Sequence, residues 1–202
     1  MSRLRSLTLD EFDPELRAML HADFKTEREL RPMSVRAHHP ELAKAYVRYT
    51  AAIQEFGVLS PRLRELLRLR IAFHNQCRSC MAMRYADAVD AGVTEDLVCS
   101  LEKPHEAPGL TAPERLALSY ADLMATNHLA INDALYAELK KHFSEKEIVE
   151  IGSWCAICVG FGRLAASWDM TEDLPERFQH ADQPATPWGP DAWVTGTAKK
   201  AA

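Results

Sequence analysis

A chain of 202 residues can bury one sizeable core, and its length does not demand a second domain. Its 24 lysines and arginines against 29 aspartates and glutamates give a formal charge of −5, so no global basic field recruits nucleic acid or an anionic membrane. Five cysteines, an odd number, make a disulfide framework a poor explanation but leave room for a transient catalytic disulfide.

The opening MSRLRSLTLDEFDPELRAML is broken by Asp10, Glu11, Asp13 and Glu15 before any apolar run develops, so no export signal is expected. The stretch from Ile148 to Ala166 carries Glu150, Arg163 and several glycines, and is expected to fall short of the roughly 20 apolar residues a membrane span needs. A soluble, cytoplasmic protein is predicted.

Helical spacing then recurs through most of the first 170 residues. Pro40 opens a helix that stops at Gly57, with Leu42, Tyr46, Tyr49 and Ile53 on one face. Ser60 and Pro61 start a second, whose stripe of Leu63, Leu66, Leu67 and Ile71 runs to about His74, with a break at Asn75 and Gln76. A third is predicted from Cys77 or Arg78 through Tyr85 and Ala88 to a stop at Gly92, after which Thr94 caps a short helix toward Leu101. EKPHEAPGL (102–110) reads as a loop. Thr111 with Glu114 and Ser144 with Glu147 have capping-box spacing, opening helices at 112 and at 145–168, with a shorter one at 132–142 between them. No alternating run predicts a strand, so the fold class is all-α. Residues 1–174 read as one helical domain and 175–202 as an irregular arm, in which Trp188 and Trp193 call for burial although the prolines around them favour mobility.

The chemistry concentrates at NQCRSCMAMR (75–84). A C-x-x-C at a helix start favours thiolate over thiol, and two sulfurs at this spacing can close a disulfide, one attacking an oxidant and the other resolving the sulfenic acid. The same spacing serves as half of a zinc site. A second pair, Cys155 and Cys158, lies inside an apolar helix and reads as buried core thiols beside Gly152 and Gly162, where helices approach closely; Cys99 reads the same way, and no metal is expected. His38 and His39 lack a ligand pattern, His74 reads as a surface histidine at a helix end, and His128 has no identified partner. Glu65 lies one helix upstream with eleven residues between it and Cys77, and it shares its helix with Leu69 and Ala72, which predicts partial burial. If helices 61–74 and 78–91 form an antiparallel hairpin, Glu65 faces the level of Asp87, about 4.5 Å of helix rise from Arg84, which shares a face with Cys80. Glu65, Arg84 and Cys80 are therefore expected to converge.

The pattern E-x(11)-C-x-x-C followed by a helix resembles the alkylhydroperoxidase D-like, or carboxymuconolactone decarboxylase, family. HHPELAKAYVRY, LSPRLRELLRLRIAFHNQCRSC, DAGVTEDLV, FSEKEIVEIG and FGRLAASWDM extend the resemblance over most of residues 38–170. It implies an all-α bundle that assembles as a homo-oligomer, a trimer or hexamer, and a cysteine pair that reduces small or alkyl hydroperoxides and is recharged by a dithiol or thioredoxin-like reductant. By position, Cys80 would be the peroxidatic thiol, Cys77 the resolving thiol and Glu65 the general base. The redox members carry His where this chain has Arg84. A guanidinium stays charged at working pH and cannot shuttle a proton, so Arg84 would act electrostatically on the Cys80 thiolate. Two alternatives stay open: a carboxymuconolactone decarboxylase-like enzyme, and a non-catalytic redox-responsive oligomer. No Gly-rich phosphate loop follows a strand, and no cofactor is expected.

Overall fold

The computed structural model describes residues 2–180 and 184–196. The chain divides into two compact units, Met1–Gly57 with Ser167–Asp173, and Val58–Ala166 with Leu174–Ala202. The second unit resumes at Leu174, where the composition shifts toward proline and tryptophan.

The first unit holds α1 (Pro14–Met19), α2 (Glu27–Arg36) and α3 (Pro40–Phe56). Each start has its own cap: Asp13 accepts from the Leu16 N–H, Thr26 and Glu29 form a capping box, and His39 accepts from the Leu42 N–H. Phe12, Leu16, Met33, Ala37 and Ala43 make the core, and the buried Lys44 ammonium is met by Glu15 at 2.8 Å and Glu41 at 2.6 Å.

In the second unit α4 (Pro61–Asn75) packs along α8 (Ala112–Thr126). Leu63, Leu66, Leu67 and Ile71 of α4 face Leu118 and Ala121 of α8 in one core, as the helical spacing predicts. Ser60 caps α4, and Gln76 ends it in the left-handed region at φ 48°. Beyond α4 the chain forms α5 (Arg78–Ala82), β1 (Met83–Tyr85), α6 (Ala86–Asp90), α7 (Glu95–Ser100), then α8, α9 (Asp133–Leu139) and α10 (Glu145–Trp168). Gly92, at φ +86°, takes the turn after α6 that residues with a Cβ rarely adopt. Both expected capping boxes, at Thr111 and Ser144, are formed.

Two expectations need correction. The helix expected over 78–91 is split by β1, which pairs in parallel with β2 (Trp193–Thr195), so an all-α fold carries a two-stranded ribbon among its described residues. The cause is local. Arg68 donates to the carbonyls of Cys80 and Met83, and Arg84 to those of Met81 and Met83, so four side-chain bonds occupy main-chain acceptors that a continuing helix needs. The freed backbone extends and takes β2 as its partner. The second correction concerns α10, which by length and composition is long and apolar enough to cross a membrane despite Glu150 and Arg163. Ile148, Ile151, Cys155 and Ala165 are its buried residues, while Val149, Phe161 and Leu164 are exposed. A Cβ on Gly152 or Gly162 would lie 3.1 Å from Tyr120 Oη or 2.6 Å from Asn75 Nδ2, so at both glycines a neighbouring side chain packs closely against the helix.

Ion pairs tie α8 to its neighbours and make the unit acid-labile. Burial raises the Asp122 carboxyl, but the hydrogen bonds from His74 and Arg70 outweigh it and hold it below the ordinary range. Burial likewise opposes Arg62 and Thr111 at Glu114, and again the bonds prevail. A carboxyl lowered in the folded state adds stability above its unfolded value, about 4, and loses it as pH falls through its folded value. The urea midpoint is therefore expected to fall steadily below about pH 4, with a shallower decline in Asp122→Asn; a midpoint flat down to about pH 2 would refute this.

Candidate active site

Cys77 and Cys80 are joined by a disulfide, their Cα atoms 5.2 Å apart. Cys77 stands at the N-cap position of α5 without a capping bond from its side chain and is fully buried; Cys80, one turn on, is half-buried against the cluster of Ala72, Met81 and Phe178. Cys80 is thus the sulfur nearer to solvent, and the one an external oxidant or reductant reaches first.

Glu65 lies at the same place, 2% exposed, but its partner is not Arg84. Both its oxygens accept from Arg68, one turn along α4, at 2.7 Å each. The remaining donors of Arg68 reach the carbonyls of Cys80 at 2.6 Å and Met83 at 2.7 Å, and its guanidinium lies 5.1 Å over the Tyr85 ring. Burial alone would lower the charge affinity of Arg68, but Glu65 more than offsets it and holds the guanidinium protonated above its ordinary value. Cys158 of α10 lies within the field of this pair. Burial pushes its thiol up to about 12, with Arg68 pulling it down and Glu65 pushing it up.

The expected pairing of Arg84 with Glu65 does not form, although Arg84 and Arg68 donate to the same Met83 carbonyl. Once β1 is extended, the i, i+4 relation between Cys80 and Arg84 is lost, and the Arg84 side chain turns to Glu95, with bonds of 2.7 and 3.0 Å. Arg84 is 2% exposed and also donates to the Pro187 carbonyl, while Glu95 accepts from the Gly189 N–H at 2.8 Å. These bonds hold the C-terminal arm. The arm is further fixed by the Gln76 side chain, which exchanges two hydrogen bonds with the Ala185 main chain, and by Arg78 to the Phe178 carbonyl. Trp193 packs into the Cys80 cluster, whereas Trp188, expected to be buried, is exposed and meets its own unit through a hydrogen bond to Glu102. Residues 181–183 and the basic end, 197–202, lie outside the described residues.

Other candidates fall elsewhere. His74 turns to Asp122, 2.7 Å away, rather than toward the cysteine pair. Cys155 is buried, and burial raises its thiol well above the ordinary value. Cys99, expected in the core, is exposed at the end of α7, because Leu97, Val98 and Leu101 take the inward positions there. Arg68 and Glu95 were not legible as site residues. Arg68 left a trace, an arginine three residues after Glu65 on a leucine-rich stripe; Glu95 left none, since its partner lies eleven residues away across a turn.

Residues 40–123 match the model of the carboxymuconolactone decarboxylase family. An uncharacterized protein of Mycobacterium tuberculosis is 33% identical over 117 residues, 56% of this chain and 40% of that protein, so the chain spans well under half of this relative. The uncharacterized protein YdfG of Bacillus subtilis is 25% identical over 146 residues, 67% of this chain and 99% of its own. Among solved structures, the alkylhydroperoxidase AhpD core of an uncharacterized peroxidase-related protein from Ralstonia eutropha JMP134 superposes with a TM-score of 0.71 at 19% identity, over 88% of this chain and 94% of that one. The matched residues 40–123 hold both cysteines, Glu65, Arg68, Arg84 and Glu95, so the candidate site lies wholly within the segment that resembles the carboxymuconolactone decarboxylase family, on a fold of the alkylhydroperoxidase D-like kind.

Proposed function

We propose that the protein is a peroxidase-like thiol–disulfide oxidoreductase that reduces small or alkyl hydroperoxides. The observation that carries this reading is the Cys77–Cys80 disulfide, with the more accessible sulfur set beside a buried carboxylate–guanidinium pair. In the reduced protein the Cys80 thiolate attacks the terminal peroxide oxygen. An S–O bond forms, the O–O bond breaks, and the alkoxide leaves and takes up a proton as an alcohol. The Cys77 sulfur then attacks the Cys80 sulfenic acid, forming the disulfide and releasing water. A dithiol or thioredoxin-like donor reduces the disulfide by exchange: its first thiolate enters at Cys80 and expels the Cys77 thiolate, and its second thiol resolves the mixed disulfide, releasing the Cys80 thiolate and the oxidised donor. The same reading places the enzyme in the cytoplasm as a trimer or hexamer.

Hydroperoxide consumption by reduced protein under a dithiol donor, with Cys77–Cys80 status read by peptide mass spectrometry in the same samples, tests this. Sustained consumption with a cycling disulfide is expected, and thiols inert to peroxide would refute it. The arm's attachments to residues 76, 78 and 84, which flank both cysteines, favour a second reading, redox response without turnover. That reading expects a disulfide that forms once and does not cycle, with a change of size in light scattering.

A further inference from the structure

Arg68 stands on the apolar stripe of α4, yet only 8% of its side chain is exposed. A buried cation is costly unless its partners are fixed. Its partners here are the main chain of the reactive cysteine and the carboxylate that the family resemblance makes the base. The Arg68 charge is therefore applied one peptide unit from the Cys80 side chain, whereas the Arg84 charge is spent on Glu95 and the arm. Glu65, gripped through both oxygens, would lose on accepting a proton the charge that makes both bonds charge-assisted. At Cys158 burial is the largest influence on the thiol, with Arg68 acting to lower it and Glu65 to raise it, the same opposition of charges at a second sulfur.

Building on the peroxidase-like reading of Cys80, we propose that Arg68 is the positioning residue of this site: it holds the Cys80 peptide and its charge favours the Cys80 thiolate, while Glu65 attenuates that charge instead of abstracting a proton.

The two charges then have effects of opposite sign. Alkylation of Cys80 by iodoacetamide is followed against pH in the reduced full-length protein by peptide mass spectrometry, with the exposed Cys99 of the same chain as internal standard. Glu65→Gln leaves Arg68 unattenuated, so the midpoint of the Cys80 profile is expected to fall by about half a pH unit or more and the Cys80:Cys99 rate ratio at pH 7 to rise about twofold or more. Glu65→Gln with Arg68→Leu removes both charges without stranding either, and is expected to raise the midpoint by about one unit and cut the ratio about fivefold. Slower Cys80 alkylation in Glu65→Gln would make Glu65 the base and overturn the proposal; a wild-type profile in the double variant would make the pair merely structural and overturn it equally. Should these variants not fold, Arg68→Lys decides: lysine keeps the charge but not the fork that spans two carbonyls and two carboxylate oxygens. A ratio about threefold lower is then expected and an unchanged one overturns. Alkylation needs no peroxide, so this outcome and that of the turnover assay are read independently.

Discussion

Replacing Cys80 by serine is expected to abolish hydroperoxide consumption, a loss of about 10³-fold or more, while leaving the fold intact. Cys80 is the nucleophile in the proposed cycle, and a serine hydroxyl at the same place is neither ionised near neutral pH nor able to form the disulfide. Folding should be little affected, because the Cys77–Cys80 bond closes a loop of only a few residues, whose entropic contribution is about 2 kcal/mol. Comparing the variant with reduced wild type removes even that difference. Cys77→Ser separates the two roles: Cys80 still attacks once, and its sulfenic acid persists without a resolving thiol and is captured by a dimedone-type probe. Wild-type turnover in Cys80→Ser would refute the mechanism. Turnover that persists in Cys77→Ser would reassign the resolving step to another thiol, Cys158 being the one closest in field to Arg68 and Glu65.

Arg84→Leu is expected to release the C-terminal arm. The substitution removes donors from the carbonyls of Met81, Met83 and Pro187 and takes away the Glu95 partner. Breaking a buried pair of this kind costs about 3–5 kcal/mol, and since Glu95 can turn its exposed carboxylate to water, about 2–3 kcal/mol is expected here. For a chain of this size that lowers the melting midpoint by roughly 5–10 °C. Hydrogen exchange should localise the change: β2 at Trp193–Thr195 loses protection by about tenfold or more, while α4 and α8 keep theirs. Because Phe178, Ala185 and Trp193 pack in the Cys80 cluster, reduction of the Cys77–Cys80 disulfide by an external dithiol should also quicken. Unchanged protection of β2 would show that strand pairing and Gln76 hold the arm without Arg84.

Arg84 is engaged in structure: its guanidinium fork meets the carbonyls of Met81, Met83 and Pro187 and the Glu95 carboxylate together, and so ties Glu95 and the arm to the segment that follows the cysteine pair. Glu65 keeps a charged partner, but that partner is Arg68, on its own helix.

The amino-acid sequence by itself determined most of the helices and their limits, the one expected over 78–91 excepted. Caps at Ser60, Thr111 and Ser144, the periodic leucines of 63–71 and the glycine at 92 are local signals, each acting within a turn or two, and the chain obeys all of them. It also marked the cysteine pair and Glu65 through their spacing. Which charge meets which carboxylate was decided only by tertiary structure. Glu65 could pair with any cation brought within reach, and two arginines competed for it; the winner followed from where β1 breaks the helix. That break depends on main-chain carbonyls being claimed by side chains up to fifteen residues away, and on an arm from more than a hundred residues downstream supplying the second strand. Helical periodicity at 78–91 carries no record of either, because local propensity yields when distant partners satisfy the same backbone groups better.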